Sequence, residues 1–229
     1  MEQTTHRQMS ESFRLGAVLA LTGGFLDAYT YLIRGGVFAN AQTGNIVLLG
    51  VRLMEGDWGG AGHYLVPILA FAAGVLAAAL IRGRFRGAPA LHWRQITVAA
   101  ELLLLAAVAF LPASLDNAAN VLVAFVCAVQ VESFRKVNGN AFATTMCTGN
   151  LRSGTERLYL WGKTGERDHG HRAAQYYGII VFFIVGAALG AWCSGRWGQR
   201  AVLGACVLLL AAFLLMFQRK PLARTGKGV

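Results

Sequence analysis

Apolar residues run in long blocks along this chain. They read LGAVLALTGGFLDAYTYLI (15–33), YLVPILAFAAGVLAAALI (64–81), QITVAAELLLLAAVAFL (95–111), YYGIIVFFIVGAALGAWC (176–193) and AVLGACVLLLAAFLLMF (201–217). A sixth block, LDNAANVLVAFVCAVQVESF (115–134), is more polar at its ends. A hydrocarbon core of ~30 Å needs roughly 20 helical residues, with 17 near the lower limit. The pattern predicts an all-α protein, a polytopic membrane helical bundle in contact with the lipid bilayer.

Two polar interruptions break the pattern in the same way. NAQTGNIVLLG at 40–50 and TTMCTGNLRSG at 144–154 both carry Thr-Gly-Asn, at an offset of 105 residues. If these segments also crossed the bilayer, the chain would have eight spans. If not, it has six. Cytoplasmic loops are enriched in Lys and Arg, so the charges decide. Six spans with a cytoplasmic N-terminus put 17 of the 21 Lys and Arg inside, whereas eight spans split them 12 to 9. Six full spans with both termini cytoplasmic, in a bacterial inner membrane, is the better reading.

The triplet segments are then something other than full spans. LRSGTERLYLWGK (151–163) is too charged to face lipid, and IVLLGVRLM (46–54) has only nine residues. Non-helical backbone at membrane depth survives only against protein or a watery cavity. Thr and Asn cap helix N-termini and Gly permits a tight approach. A broken or re-entrant helix is therefore expected to start near Thr43 and another near Thr148.

The offset of 105 extends beyond the triplets. It places Asp27 on Glu132, Arg52 on Arg157, and LLLLAA (102–107) on VLLLAA (207–212), while GRF (83–85) matches GRW (195–197) at 112. The chain reads as two copies of one pattern, residues 12–113 and 117–218, within one membrane domain. Three spans per copy is an odd number, so the second copy would enter from the opposite side. Inverted repeats that meet at a midplane site are a recurrent plan of secondary transporters.

The candidate site residues follow from that plan. Asp27 and Glu132 would lie at comparable depths, and an ionised carboxylate at a helix centre costs roughly 2.5–3.5 kcal/mol on insertion scales. The bland alternative pairs these acids with Arg34 and Arg135 for packing alone. Thr43, Gly44 and Asn45 form the first helix start, and Thr148, Gly149 and Asn150 the second. Gln130 and Gln42 add polar groups near the acids and the triplet, or serve equally as interhelical hydrogen-bond glue. A helix N-terminus carries unpaired N–H groups and a positive dipole end. Each start is thus expected to face a carboxylate from the other half or an anionic substrate group. Glu101, whose counterpart is Cys206, breaks the symmetry.

GFLDAYTY (24–31), FANAQTGN (38–45) and TTMCTGN (144–150) together resemble the YoaK-like small membrane proteins, the DUF1275 or UPF0700 family. The likeness covers roughly residues 12–218. That family's pattern is Gly-x-x-Asp-Ala, then Phe-x-x-x-x-Thr-Gly-Asn, with a second triplet downstream. Where it usually reads Gly-Met-Gln-Asn-Ala, this chain has CAVQVES (127–133), so Glu132 departs from it. The resemblance implies a membrane protein and assigns it no activity.

Composition agrees with the pattern. The chain of 229 residues is 55 % hydrophobic and 14 % charged, against about 25 % charged in soluble domains. Its mean hydropathy is +0.49. A net charge of +10 would suggest nucleic acid in a soluble protein. Here the cations lie between spans, and no nucleic-acid partner is expected. VFANA (37–41) contains a signal-cleavage-like A-x-A, but the preceding apolar run is too long and holds Asp27. Cys127, Cys147, Cys193 and Cys206 form no C-x-x-C pair and read as small buried hydrophobes. HGH (169–171) lacks further ligands. No metal, cofactor or catalytic site is expected, and the chain is not expected to be an enzyme. Small residues every four, at 186–194 and at Gly16, Ala20 and Gly24, make close helix contacts or a possible homodimer face. The expected function is a small-solute or ion transporter or channel. The alternative is a non-transporting membrane scaffold or partner-binding subunit.

Overall fold

The computed structural model describes residues 13–85, 93–134 and 147–217. Among the described residues the regular structure is helical: α1 (Phe13–Ile33), α2 (Gln42–Met54), α3 (Trp58–Phe85), α4 (Trp93–Val108), α5 (Asp116–Ser133), α6 (Cys147–Thr164), α7 (Arg167–Trp197) and α8 (Val202–Phe217). Two 3-10 turns, Ala113–Leu115 and Gly198–Ala201, lead into α5 and α8. Four segments are long and apolar enough to cross a membrane: Phe13–Ile33, Trp58–Arg84, Ala113–Ser133 and Arg167–Met216. The last contains both α7 and α8, separated at Gly198, whose φ is +53°.

Outward-facing Leu69, Leu76 and Leu80 on α3, Val181 and Ile184 on α7, and Val207 and Leu214 on α8 are all exposed. Apolar faces of that extent are unfavourable in water and suit lipid. The chain is a multi-pass membrane protein with α1 at its centre. Leu15, Leu19, Phe25, Leu26 and Tyr29 of α1 are buried with Val123 and Val126 of α5 and Ala205 and Leu209 of α8.

The helices pair closely where glycines allow it. α1 lies along α7 and α8, α3 along α5, and α4 along α5 and α8; the short helices rest on α3 (for α2) and α7 (for α6). A Cβ on Gly186 would strike the Leu21 carbonyl, and one on Gly24 the Phe183 carbonyl. A Cβ on Gly74 would come within 2.6 Å of the Phe125 carbonyl oxygen. The small-residue stripes of α1 and α7 therefore meet each other inside one chain. Backbone contact of this kind is how membrane helices gain dispersion energy without a hydrophobic drive.

At the other end of α1 the interior turns polar. Arg34 is fully buried and pairs with Asp116 at the start of α5, 2.7 Å away. Its guanidinium also donates to the carbonyls of Val108 (3.0 Å) and Leu111 (3.2 Å) and to Tyr29 Oη (2.8 Å). The expected third span reaches 111, but α4 ends at Val108. Pro112 disfavours a helical residue before it, and the freed carbonyls turn to Arg34 instead.

Candidate functional site

The local question is how α2 begins inside the protein. Its N-cap residue is Ala41, which has no capping side chain. Asp27 on α1 instead holds the residue before the cap: the Asn40 N–H donates to its Oδ1 at 2.6 Å. The Asn40 amide in turn donates to the Gly23 carbonyl (3.1 Å), one turn earlier on α1. The expected cap from Thr or Asn of the triplet is not made; the approach to the helix is held instead by an acid on the neighbouring helix. It belongs to the same half of the chain, not the opposite one.

The triplet itself fixes the segment before the helix. Asn45 is buried; its Oδ1 accepts from the Phe38 N–H (3.0 Å), and its Nδ2 donates to the Phe38 carbonyl (2.7 Å) and to Gln42 Oε1 (2.9 Å). One amide thereby satisfies both backbone groups of Phe38, as a neighbouring strand would. Gly44 lies under the Phe38 ring, where a Cβ would stand 2.8 Å from the ring carbon Cδ2. That ring stacks on Tyr31 with centroids 4.8 Å apart. Gly and Asn thus hold Phe38 in place, and Thr43 is left exposed.

Asn45→Ala removes this brace and leaves the Phe38 N–H and C=O unsatisfied. An orphaned buried group costs about 1–3 kcal/mol. The variant is therefore expected to lose stability in that range, read as a lower melting temperature in detergent. Asn45→Asp, which keeps the acceptor and loses the donors, should fall between the two. Equal stability of Asn45→Ala and the parent would remove the bracing role.

α6 starts in the same neighbourhood. Asn150 is buried in its first turn, and Gly154 sits against Tyr176 of α7. The start of α6 and the start of α2 open onto one cavity of about 870 Å³. Asp27, Asn40, Gln42 and Thr43 line it from the first half; Cys147, Thr148 and Gly149 line it from the second. Tyr31, Phe38, Phe71 and Phe183 make its aromatic walls. Polar groups are few, and they converge. Such a cavity is the usual form of a small-molecule site.

Five of the residues singled out from sequence thus lie together: Asp27, Gln42, Thr43, Thr148 and Gly149. Gly44, Asn45 and Asn150 sit behind them in the same first turns. The other two are elsewhere. Glu132, near the C-terminal end of α5, forms an ion pair of 2.7 Å with Arg82 of α3. Gln130 is buried and donates to the Leu19 carbonyl of α1 at 3.2 Å. Glu101 is buried in α4, and neither of its oxygens has a hydrogen-bond partner. Arg34 pairs with Asp116 and not with Asp27; Arg135 lies outside the described residues, as do Thr144 and Thr145.

Residues 15–215 match the family described as protein of unknown function, DUF1275. The chain belongs to the DUF1275 family. It is 29 % identical over 186 residues to the UPF0700 transmembrane protein YoaK of Bacillus subtilis (strain 168), covering 76 % of this chain and 80 % of that protein. No solved structure matches it. In this DUF1275 chain, Asp27, Thr43, Thr148 and Gly149 meet around the cavity. Sequence reasoning missed Asn40 and Asp116. Asn40 stands two residues before Gln42, and a polar residue beside a triplet was a usable signal. Asp116 opens the sixth apolar block, where it reads as an ordinary helix-start acid.

Proposed function

We propose that the chain is a small-solute or ion transporter or channel whose substrate site is the cavity between α1, α2, α3, α6 and α7. One observation carries this reading: the first turns of two helices 105 residues apart, with the same triplet, line a single cavity beside a buried carboxyl. Asp27, Gln42, Thr43, Thr148 and Gly149 are the contact residues in this reading. Gly44, Asn45 and Asn150 hold the helix starts. Gln130 and Glu132 lie off the cavity wall, so any part they take is through packing of α5.

The repeat finds support in how the helices pair. Exchanging α1 with α5, α2 with α6, α3 with α7 and α4 with α8 turns each main helix pair into another main pair. Thus α1 on α7 becomes α5 on α3, and α2 on α3 becomes α6 on α7. Gly74 against Phe125 has its counterpart in Gly186 against Leu21. With α4 and α8 counted as short spans of 16 residues each, about 24 Å of rise, six spans result. The two halves are then inverted, α2 and α6 are re-entrant helices, and both termini are cytoplasmic. A scaffold remains the second reading, favoured by the bonds that tie Asp27 and Asn45 to the backbone.

Cys147 offers a direct test. It lines the cavity. Thiolate is the reactive form, so labelling is run at alkaline pH. In a variant retaining only this cysteine, a small water-soluble maleimide should modify Cys147 in proteoliposomes. A transporter or channel further requires flux in a solute screen, and the solute transported should slow the labelling. Failure of every polar maleimide to reach Cys147, with no flux, supports the scaffold.

A further inference from the structure

A second trough lies on the opposite side of the α1–α7 pair. It measures about 780 Å³ and is lined by Phe25, Leu189, Cys193, Leu203, Val207 and Leu208, with Trp197 and Arg200 at one end. Gly204 completes it, because a Cβ there would stand 2.7 Å from the Phe25 ring. From Arg200 to Leu208, and from Trp197 back to Leu189, the chain runs eight residues. Eight helical residues rise about 12 Å, and half of a ~30 Å hydrocarbon core is about 15 Å. The trough therefore spans one leaflet.

Its polar end is built for a membrane surface. Trp192 and Trp197 are half exposed and meet edge to face at 5.6 Å, and Arg196 sits over the Trp192 ring. Aromatic residues of this kind gather at the headgroup level. Arg200 is exposed, and among the described residues it has no acidic partner. A cation with no counter-charge above an apolar slot of one leaflet's depth fits one ligand chemistry. We propose that this trough binds an anionic phospholipid, one acyl chain between α1, α7 and α8 and its phosphate on Arg200. A zwitterionic lipid fits less well, since its own ammonium competes with the guanidinium. This site is independent of whether the central cavity transports anything.

The site also touches the cavity. Phe25 lines the trough and Asp27 the cavity, two residues apart on α1; on α7, Leu189 and Cys193 alternate with the cavity residues Ala187 and Ala191. A lipid chain in the trough thus presses on the far side of the helices that hold the carboxyl.

The test uses the full chain in nanodiscs with lipids brominated on the acyl chain, either phosphatidylglycerol or phosphatidylcholine, diluted into unlabelled phosphatidylcholine. Quenching of Trp197 fluorescence is read with Trp58, Trp93, Trp161 and Trp192 replaced by Phe. Phosphatidylglycerol should quench at about fivefold lower mole fraction, the effect of one Arg near a charged surface. Arg200→Gln should abolish that preference and keep quenching by both lipids. Val207→Trp, which fills the slot, cannot be read by fluorescence. Its effect is read by mass spectrometry of the released protein, where one retained phosphatidylglycerol is expected in the parent and none in the variant. An unchanged preference in Arg200→Gln, or an unchanged retained lipid in a folded Val207→Trp, overturns the proposal.

Discussion

Arg34→Ala is expected to lower stability by about 3 kcal/mol or more, because several hydrogen bonds from one charged donor, each worth about 1.5–3 kcal/mol, are lost together. Asp116 would lose its partner at 2.7 Å, and the Val108 and Leu111 carbonyls would lose the guanidinium as a donor. Tyr29 would go too, since its hydroxyl accepts from Arg34 Nε and donates to the Gln199 carbonyl at 3.0 Å. One side chain thereby ties α1 to the end of α4, the start of α5 and the turn before α8. Asn120 completes the knot by donating to the Arg34 carbonyl at 2.6 Å. The measurement is thermal or denaturant unfolding in detergent. Arg34→Lys keeps the charge but loses the forked geometry that reaches both carbonyls and the carboxylate, and should fall between the two. Asp116→Asn should cost less than Arg34→Ala, because an amide still accepts from the guanidinium and Arg34 keeps its bonds to Tyr29, Val108 and Leu111. A loss below about 1 kcal/mol in Arg34→Ala, the range of exposed pairs, would show that the knot is not structural.

That knot marks the limit of what the sequence told. The apolar blocks gave the helices directly, because lipid imposes a length and a composition on anything that crosses it. The triplets gave the two short helices and pointed at the residues around the cavity. Partners of charges were not legible. Asp27 and Arg34 are seven residues apart in the sequence, which on a helix is two turns and invites a pairing of the two. The structure pairs the buried Arg34 with Asp116 and turns Asp27 to the Asn40 N–H just before α2. Only the path of the chain between 34 and 40 decides this, and that path turns on Gly35 and Gly36, whose φ values are +85° and +80°. A left-handed pair of glycines reverses the backbone and brings Asn40 back against Gly23 and Asp27. The Asn of the triplet was misjudged in the same way. A helix-start Asn reads as a cap, yet Asn45 stands four residues past the N-cap Ala41 and reaches back to Phe38.

Asp27→Asn separates the two roles that the geometry gives this side chain. The amide oxygen of Asn can still accept from the Asn40 N–H, so α2 should keep its place and the variant should fold. Asp27→Ala loses that acceptor as well, and should cost about 1–3 kcal/mol for the orphaned N–H. The charge is lost in both. If the carboxylate binds a cationic solute or a proton during transport, the Asn variant should lose about 10- to 100-fold in uptake at low solute. That is the range of one charged hydrogen bond, 1.5–3 kcal/mol. Glu132→Gln provides the contrast: its ion pair with Arg82 stands off the cavity, and Arg82 is 36 % exposed, so uptake should stay within about twofold, as befits a pair worth under 1 kcal/mol. The readings differ in pattern and not only in size. A packing role predicts a graded loss of stability from Asn to Ala with uptake following the amount of folded protein. A binding role predicts that uptake is already lost in the stable Asn variant. Full uptake by a folded Asp27→Asn protein would sink the binding role of the carboxylate even if transport through the cavity were established. The triplet helix ends would then be left as the groups that meet the solute.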